Sequence, residues 1–500
     1  MATVYGTTSW SALPVGAALT GPIPANWRAD CDALAFGQIQ WSTQMIQDPR
    51  AQRGRRQAAG IAPLDAQLRR AALPLASPDD LDPLIDAIGD ARFVLLGEAT
   101  HGTSEFYTWR AAISKRLVRE KNFSFIAVEG DWPDCYRVNR YAKWLSGAGT
   151  SAEEVLHAFK RWPTWMWANR EVVDFVAWLR NHNHRLAESQ QVGFYGLDVY
   201  SLWESMTAVI EYLERVDPEA VPIARRAYSC FDPYYEDAQA YARATALVPT
   251  SCEDEAVAML RALRARAPEY PGDGRDAYFD AEQNALIAQN AERYYRTMTR
   301  GGPTSWNVRD THMVETLDRL MAHHGPLAKA IVWEHNTHVG DARFTDMTRH
   351  GMVNVGQLVR EAHGERPTER EGVMLVGFGT HHGTVIAGSE WGAPMQRMRM
   401  PLARAGSWED LLHHAVDRDS LFVFDGTNDG GIAGLDAPTD HRAIGVVYNP
   451  GAERWGNYVP TIMPRRYDAF LFINETRGVD ALHMPVTIEG EVPETYPSGM

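Results

Sequence analysis

The chain has 500 residues, of which 49 are Lys or Arg and 64 are Asp or Glu, so its formal charge at pH 7 is −15. This acidic balance argues against a nucleic-acid partner, because phosphate backbones are bound through basic surfaces. Apolar residues make up 45% and charged residues 23% of the sequence, which is typical of a globular protein with a sizeable core and excludes disordered and fibrous classes.

The sequence shows no sign of export or membrane insertion. Its first cationic residue is Arg28, so no basic segment precedes an apolar one as in a secretory signal. No apolar run approaches the ~18 residues that cross a membrane. The four cysteines are scattered and suit a reducing compartment. We therefore expect a cytoplasmic protein without membrane attachment, whose cysteines are small buried residues rather than ligands or nucleophiles.

Residues 1–75 differ in composition from the rest of the chain. They begin rich in Gly, Ala and Pro and become rich in Arg between positions 48 and 70. This change predicts an N-terminal extension over 1–75 and a main domain over 76–500. The Arg-rich part is interpreted either as a solvated basic helix or as a contact for an acidic partner or subunit.

From Pro83 onward, short apolar runs alternate with amphipathic stretches, which predicts an α/β fold with a mainly parallel central sheet flanked by helices. A helix is predicted over 104–121, and helical periodicity over about 200–310 predicts a helical insertion or lid. The clearest strand predictions are 92–97, 123–129, 192–198, 328–334 and 373–379, with weaker ones at 421–424, 444–448 and 469–473.

Polar side chains follow each of the clearest strands at the point where the strand ends. In parallel α/β sheets the ligand crevice lies outside the carboxyl ends of the strands, so we expect these side chains to converge. In chain order they are Glu98 and His101, Glu129, Asp198, Glu334 with His335 and His338, and Thr380 with His381.

His101 lies in a turn beside Gly102, between a predicted strand and a predicted helix. An imidazole titrates near neutral pH and can take a proton from water, which is what a general base requires. The alternative is a histidine that caps or packs against the helix. Glu98 and Glu129 are placed either to orient the ring and share its proton, or to cap the helices that follow them.

His335 and His338 are spaced to share one side of a helical turn. HExxH and paired cysteines are absent, so we favour hydrogen-bond donors or acid catalysts over metal ligands and predict no metal or cofactor. Arg309 is placed in the first turn of a helix that begins near residue 305, where a guanidinium opposes the helix dipole. Either an anionic partner such as an oxyanion, or pairing with the neighbouring Asp310, accounts for it.

The sequence motifs of several common enzyme classes are absent. No G-x-S-x-G nucleophile elbow occurs, and no Gly-Lys pair, so there is no Walker A loop. Instead, a set of segments together resembles the erythromycin esterase family, in the family's order over roughly residues 80–480. These segments are 96–106 (LGEATHGTSEF), 128–133 (VEGDWP), 163–167 (PTWMW), 193–201 (GFYGLDVYS), 281–284 (AEQN), 305–310 (SWNVRD) and 335–343 (HNTHVGDAR).

The resemblance implies an α/β core with helical additions and hydrolysis of an ester or macrolactone without a covalent enzyme intermediate. Two departures from the family pattern concern the substrate: Glu334 stands where related sequences usually have a small residue, and residues 456–458 lack an expected Ser-His-Tyr. The family's catalytic His falls on His101, its essential Glu on Glu129, its supporting Glu on Glu98, its Arg on Arg309, and its later histidines on His335 and His338.

The sequence thus predicts a hydrolase in which His101 deprotonates water, Glu98 and Glu129 support the imidazole, and Arg309 with His335 or His338 stabilises an oxyanion. Acidic groups around the site favour a small neutral or cationic ester or lactone, such as a macrolide with an aminosugar, and should make the histidines more basic than usual. The residues predicted to bind the substrate are Asp198, Glu334, Thr380 and His381.

Two other functions remain open at this stage. The first is a natural-product tailoring enzyme that uses the same site for elimination or cyclisation, with Glu334 as a second base. The second is a metal- or ligand-binding protein without turnover.

Overall fold

The computed structural model describes residues 63–234, 237–247, 251–266, 275–298, 302–364, 372–427 and 429–482. Most of the predicted N-terminal extension, with Cys31, therefore lies outside the described residues. The described helices are α1 (Leu64–Ala71), α2 (Asp82–Ile88), α3 (Ser104–Lys121), α4 (Trp132–Ala142), α5 (Ala152–His157), α6 (Arg170–Asn183), α7 (Leu202–Val216), α8 (Val221–Tyr228), α9 (Ala238–Leu247), α10 (Glu253–Arg266), α11 (Arg275–Met298), α12 (Thr304–His324), α13 (Asn336–Val339), α14 (Val355–His363), α15 (Trp408–Val416), α16 (Glu453–Gly456) and α17 (Met463–Arg466).

Eleven strands run through the described residues. They are β1 (Leu73–Pro74), β2 (Phe93–Leu96), β3 (Phe125–Asp131), β4 (Gly193–Asp198), β5 (Ala330–Trp333), β6 (Val373–Ala387), β7 (Gln396–Met400), β8 (Ser420–Val423), β9 (Thr439–Arg442), β10 (Tyr458–Thr461) and β11 (Ala469–Thr476). Short 3-10 helices lie at Pro78–Leu81, Thr164–Met166, Glu188–Gln190, Pro218–Ala220, Ser229–Tyr234, Ala342–Phe344 and Met347–His350.

The central sheet has nine strands in the order β1-β8-β11-β6-β2-β5-β3-β4, with β7 paired to β6. From β11 to β4 all neighbouring strands are parallel, whereas β1, β8 and β7 join antiparallel. Strands β9 and β10 form a separate antiparallel pair. The predicted α/β fold with a mainly parallel sheet is confirmed.

Strands β2 and β5, at the centre of the sheet, are apolar at every position because helices cover both faces of the sheet. All residues of β2 (FVLL) and β5 (AIVW) are buried. Leu96 and Trp333 pack on the face covered by α3 and α6, while Leu95 and Val332 pack on the face covered by α12 and α14. Because β2 and β5 are parallel, the segments that follow them begin at the same edge of the sheet, between two helical layers.

Most predicted strands agree with the structure, but the prediction over 444–448 is wrong. Ile444 and Val447 make only single bridges, to Thr100 and Gly388, and the strand lies earlier, at β9. The sequence of β9 is Thr-Asp-His-Arg, and both its His441 and Arg442 are fully buried. A buried strand is recognised in a sequence by a run of apolar residues, so the polar sequence of β9 did not predict one.

Residues 64–74, from the end of the predicted extension, pack against the main domain. Helix α1 buries Leu68 against Trp408 and Leu412 of α15, and β1 pairs with β8 at the edge of the sheet. The division of the chain at residue 75 stays a prediction.

Helices α7 to α11 build the predicted helical segment around an apolar cluster of their own. Within it, Cys230 and Cys252 form a disulfide with their Cα atoms 5.9 Å apart. This pairing corrects the expectation, for these two residues, of small buried cysteines suited to a reducing compartment, while Cys135 is free and buried as expected. Among the described helices, none has the length and apolar character that crossing a membrane demands.

Candidate active site

The carboxyl ends of β2, β5, β3 and β4 bring most of the predicted site residues together. The side chains in mutual contact there are Glu98, His101, Glu129, Asp198, Arg309, His335 and His338. They come from five separate segments of the chain, and each lies where a strand or helix places it at this edge.

His101 is buried, and Glu98 binds the Nδ1 side of its ring. Its Nδ1 lies 2.9 Å from Glu98 Oε1, and Arg110 Nη2 donates to Glu98 Oε2 at 2.8 Å. The Tyr107 hydroxyl donates to the His101 carbonyl at 3.0 Å. In the neutral tautomer whose Nδ1 donates to Glu98, the lone pair of His101 is on Nε2, which lies 3.9 Å from Glu129 Oε1.

Two glycines in this loop are required by close packing. A Cβ on Gly97 would lie 2.1 Å from Asn336 Oδ1, and one on Gly102 would lie 1.9 Å from the Ile386 carbonyl oxygen. The loop that carries His101 is therefore packed tightly between α13 and β6, which accounts for the Gly-flanked turn seen in the sequence.

Glu129 is buried and ionised. Its Oε1 accepts from Arg309 Nη2 at 2.8 Å, and its Oε2 accepts the backbone N–H of His335 at 2.8 Å. Burial raises the pKa of Glu129, but the positively charged surroundings, with His338 and Arg309, outweigh it and hold that pKa well below its usual range. The Trp167 indole also donates to the Glu129 carbonyl at 3.0 Å, which fixes the backbone.

Arg309 lies in the second turn of α12 rather than the first, and its partner is not Asp310. Its Nε and Nη2 bind the two oxygens of Asp198 at 2.9 and 2.7 Å, in addition to Glu129. Burial lowers the pKa of Arg309, but Asp198 and the other nearby anionic groups raise it well above its usual value. The guanidinium thus holds two carboxylates from neighbouring strands in place.

His338 is buried among charged groups, and its Nε2 lies 3.0 Å from Arg309 Nη1. Its Nδ1 lies 3.0 Å from Asp310 Oδ1, its Nε2 lies 3.5 Å from Glu129 Oε1, and its ring stacks on Trp306 with centroids 4.6 Å apart. Burial lowers the pKa of His338, but the carboxylates of Asp310 and Glu129 raise it to about 10. The prediction that acidic groups around the site raise the pKa of its histidines is correct for His338.

His335 behaves in the opposite way and is neutral. Its side chain caps α13: Nδ1 lies 2.8 Å from Thr337 Oγ1 and accepts from the Thr337 backbone N–H. Burial, together with nearby His101, holds the pKa of His335 well below its usual range, so the prediction of higher basicity is wrong for this residue. Its Nε2 is buried without a hydrogen-bond partner, and the ring lies 4.8 Å from that of His101.

Glu334 lies beside the charged cluster, in the interior of the protein. The residue is fully buried, and neither carboxyl oxygen has a hydrogen-bond partner. Burial raises the pKa of Glu334 well above its usual range, so the group is a neutral acid. Its predicted roles in substrate binding and as a second base stay predictions.

We expect Glu334→Met to stabilise the protein, and more at about pH 8 than at about pH 5. A carboxyl whose pKa is raised by folding stabilises the folded state only below its unfolded pKa, and that contribution is lost as the pH rises. At the higher pH the gain should be about 1–3 kcal/mol in the free energy of unfolding, measured by urea denaturation. Glu334→Gln is the control of equal shape. A gain independent of pH would contradict this account.

Thr380 and His381 lie apart from the His101 cluster. The Thr380 hydroxyl contacts Thr476 Oγ1 at 3.0 Å, and the His381 ring stacks on His413 with centroids 3.8 Å apart. Burial and the neighbouring histidines lower the pKa of His381 to about 4. Within the described part of the chain, no hydrogen bond or ring contact joins either residue to His101.

Sequence reasoning missed the residues that support the central side chains. Arg110, which binds Glu98, is buried in the apolar stripe of α3, and an Arg at such a position was the available signal. Asp310, which binds His338, was considered only as a partner of Arg309. In the described ranges, no group of three or more His, Cys, Asp or Glu side chains is arranged to hold a metal ion.

The fold and the site are those of an α/β protein with an acid–base cluster at the carboxyl edge of its sheet. The family model for erythromycin esterase matches residues 118–476, and the chain belongs to that family. Membership in this family supports a hydrolase.

Similarity to individual relatives is moderate. Erythromycin esterase type II of Escherichia coli is 28% identical over 155 residues, which are 30% of this chain and 35% of that enzyme, so the match spans about a third of the relative. The hydrolase-named protein YbfO of Bacillus subtilis (strain 168) is 21% identical over 387 residues, covering 72% of this chain and 80% of YbfO.

Solved structures share the fold. A protein from Bacillus cereus matches with a TM-score of 0.69 and 20% identity, and a succinoglycan biosynthesis protein with 0.68 and 20%. A mutant of erythromycin esterase EreC in its open conformation matches with 0.58 and 16%. Each match covers 84% of this chain and 98% of the other.

Proposed function

We propose that this protein hydrolyses a carboxylic ester or lactone of a small molecule by direct attack of water, without a covalent enzyme intermediate. The observation that carries the proposal is the geometry of His101, whose Nδ1 is bound by Glu98 while its Nε2 faces Glu129 across 3.9 Å. A base held in this way can act on a water molecule bound beside it.

In the first step, His101 Nε2 takes a proton from water while the water oxygen bonds to the substrate carbonyl carbon. The carbonyl π electrons move to oxygen, and the imidazolium is stabilised by the carboxylates of Glu98 and Glu129. In the second step, the bond to the leaving oxygen breaks and His101 returns the proton to it. The products are a carboxylic acid and an alcohol, and the base contributes ~10²–10⁴-fold in rate.

His335 is the proposed donor to the oxyanion. It is neutral, its Nδ1 is used as a helix cap, and its unpartnered Nε2 lies beside His101. Arg309 and His338, which the sequence also suggested, are engaged by Asp198 and Asp310. We assign these two the task of holding Glu129 ionised and in position.

The charges around the site favour a neutral or cationic substrate. The cluster holds more carboxylates than cationic partners: Glu98, Glu129, Asp198 and Asp310 against Arg110, Arg309 and His338. This excess of negative charge disfavours a substrate carboxylate or phosphate. The names of the E. coli relative and of EreC make macrolactones the first class to examine.

The proposal is tested by incubating the purified protein with macrolactones and simple aryl esters in ¹⁸O-labelled water. We expect the acid product of a turned-over substrate to carry one solvent oxygen, detected by mass spectrometry. A product without solvent oxygen would overturn hydrolysis in favour of elimination or cyclisation. That alternative rests on Glu334 as a second base, and Glu334 is fully buried.

A further inference from the structure

A second Glu–His pair is buried behind the candidate site. His441 of β9 and Glu409 of α15 are both fully buried, and His441 Nδ1 lies 2.5 Å from Glu409 Oε1. On the other side of the ring, His441 Nε2 lies 3.2 Å from Asn336 Nδ2. Three residues from distant parts of the chain are thus joined in one hydrogen-bonded row.

The protonation of this row follows from its partners. Glu409 Oε1 also accepts the backbone N–H of Arg442 at 3.0 Å. Burial raises the pKa of Glu409, but His441 and Arg442 bring it below the usual value, and burial lowers the pKa of His441. A neutral imidazole therefore donates from Nδ1 to a carboxylate, which leaves its Nε2 as an acceptor for the Asn336 amide.

Asn336 connects this row to the site. Its Nδ2 donates to the Phe378 carbonyl at 2.6 Å, and its Oδ1 accepts the Phe378 N–H at 3.3 Å. Its backbone N–H donates to the Glu98 carbonyl at 2.8 Å. Asn336 directly follows His335 and begins α13, the helix that carries His338. Its position sets where both histidines stand relative to Glu98.

We propose that Glu409 and His441 are positioning residues, which orient the Asn336 side chain and thereby hold the turn from His335 to His338 against the His101 loop. This inference rests on the proposed hydrolysis. Neither residue of the pair touches the substrate, because both are fully buried. Displacing a reacting group by about 1 Å costs about 10²-fold in rate, which is the effect expected when the row is broken.

The test compares His441→Met with His441→Gln in the full-length protein, using an ester that the wild type hydrolyses. Methionine removes both hydrogen bonds, and we expect kcat to fall about 10²-fold with KM within a few-fold. Glutamine can accept from Asn336 and donate to Glu409, so it should keep kcat within a few-fold. Equal kcat values for wild type and His441→Met would overturn the proposal, and so would equal losses in both variants.

A matched control separates positioning from general loss of stability. His323 binds Asp276 at 2.8 Å in another His–carboxylate pair, more exposed than Glu409–His441, at the end of α12 and away from α13. The His323→Met variant should lower the thermal midpoint without a 10²-fold loss of kcat. If His441→Met does not fold, the double variant His441→Met/Glu409→Gln removes the buried charge as well, and the same loss of kcat is expected.

Failure of this inference is distinguishable from failure of the proposed function. If the wild-type protein hydrolyses no ester or lactone, the proposed function fails and the inference fails with it. If the wild type is active and a folded variant without the Glu409–His441 pair keeps full kcat, only the inference fails.

Discussion

Replacement of His101 by Asn is expected to lower kcat for ester hydrolysis by at least about 10³-fold, with KM within a few-fold. Asparagine is small enough to leave the loop in place and can still donate to Glu98, but it cannot take a proton from water at neutral pH. General-base catalysis contributes ~10²–10⁴-fold, so the loss should lie at the upper end of that range. The measurement is steady-state kinetics with the substrate identified in ¹⁸O-labelled water.

A matched control for this variant is His382→Asn. His382 lies on β6 and is less buried than His101, and it makes no contact with His101 among the described residues. Its replacement should leave kcat within about twofold. If His101→Asn retains wild-type kcat, or if both variants lose activity equally, His101 is not the base.

Replacement of His335 by Asn is expected to lower kcat by about 10²–10³-fold, the usual loss when one donor to an oxyanion is removed. Asparagine is a good helix N-cap, so it can still accept the Thr337 backbone N–H and keep α13 in place. Its shorter side chain does not reach the position of the imidazole Nε2. Steady-state kinetics should therefore show a fall in kcat while urea denaturation shows a stability within about 1 kcal/mol of wild type.

The companion variant His335→Ala loses both the donor and the cap. It should show the same fall in kcat together with a further loss of about 0.5–2 kcal/mol in the free energy of unfolding. If His335→Asn keeps the wild-type kcat, His335 does not stabilise the oxyanion, and Arg309 or His338 becomes the candidate for that role. A loss of stability as large as that of the alanine variant would mean that asparagine fails to cap the helix.

The convergence of the site was predictable because it depends only on strand order and direction. Glu98, Glu129, Asp198 and His335 each follow an apolar run, and the carboxyl ends of neighbouring parallel strands share one edge. The same reasoning failed for Thr380, since β6 does not end at Gly379.

Strand β6 continues to Ala387, first along β11 and then against β7. Thr380 and His381 therefore lie within a strand, and their side chains contact neighbours in the sheet and α15. The polar pair His381-His382 in mid-strand resembles a strand end in the sequence. Only the pairing partners of β6 reveal that the strand goes on.

The class of fold, the approximate position of the central strands and the kinds of side chain at their ends could all be predicted from the amino-acid sequence alone. These follow from local patterns: apolar runs form buried strands, and polar residues mark where they stop. The tertiary structure decided the protonation state of each group. Glu129 and Glu334 end neighbouring strands, yet Glu129 is an anion bound to Arg309 and Glu334 a neutral acid without a partner.

The two histidines of one turn differ for the same reason. The carboxylates of Asp310 and Glu129 raise the pKa of His338, whereas burial lowers the pKa of His335. Partners such as these lie tens to hundreds of residues away in the chain, as Arg309 does from Asp198, so no local pattern identifies them. Inside a protein, the charge of a group depends on what surrounds it, and that is decided only when the chain has folded.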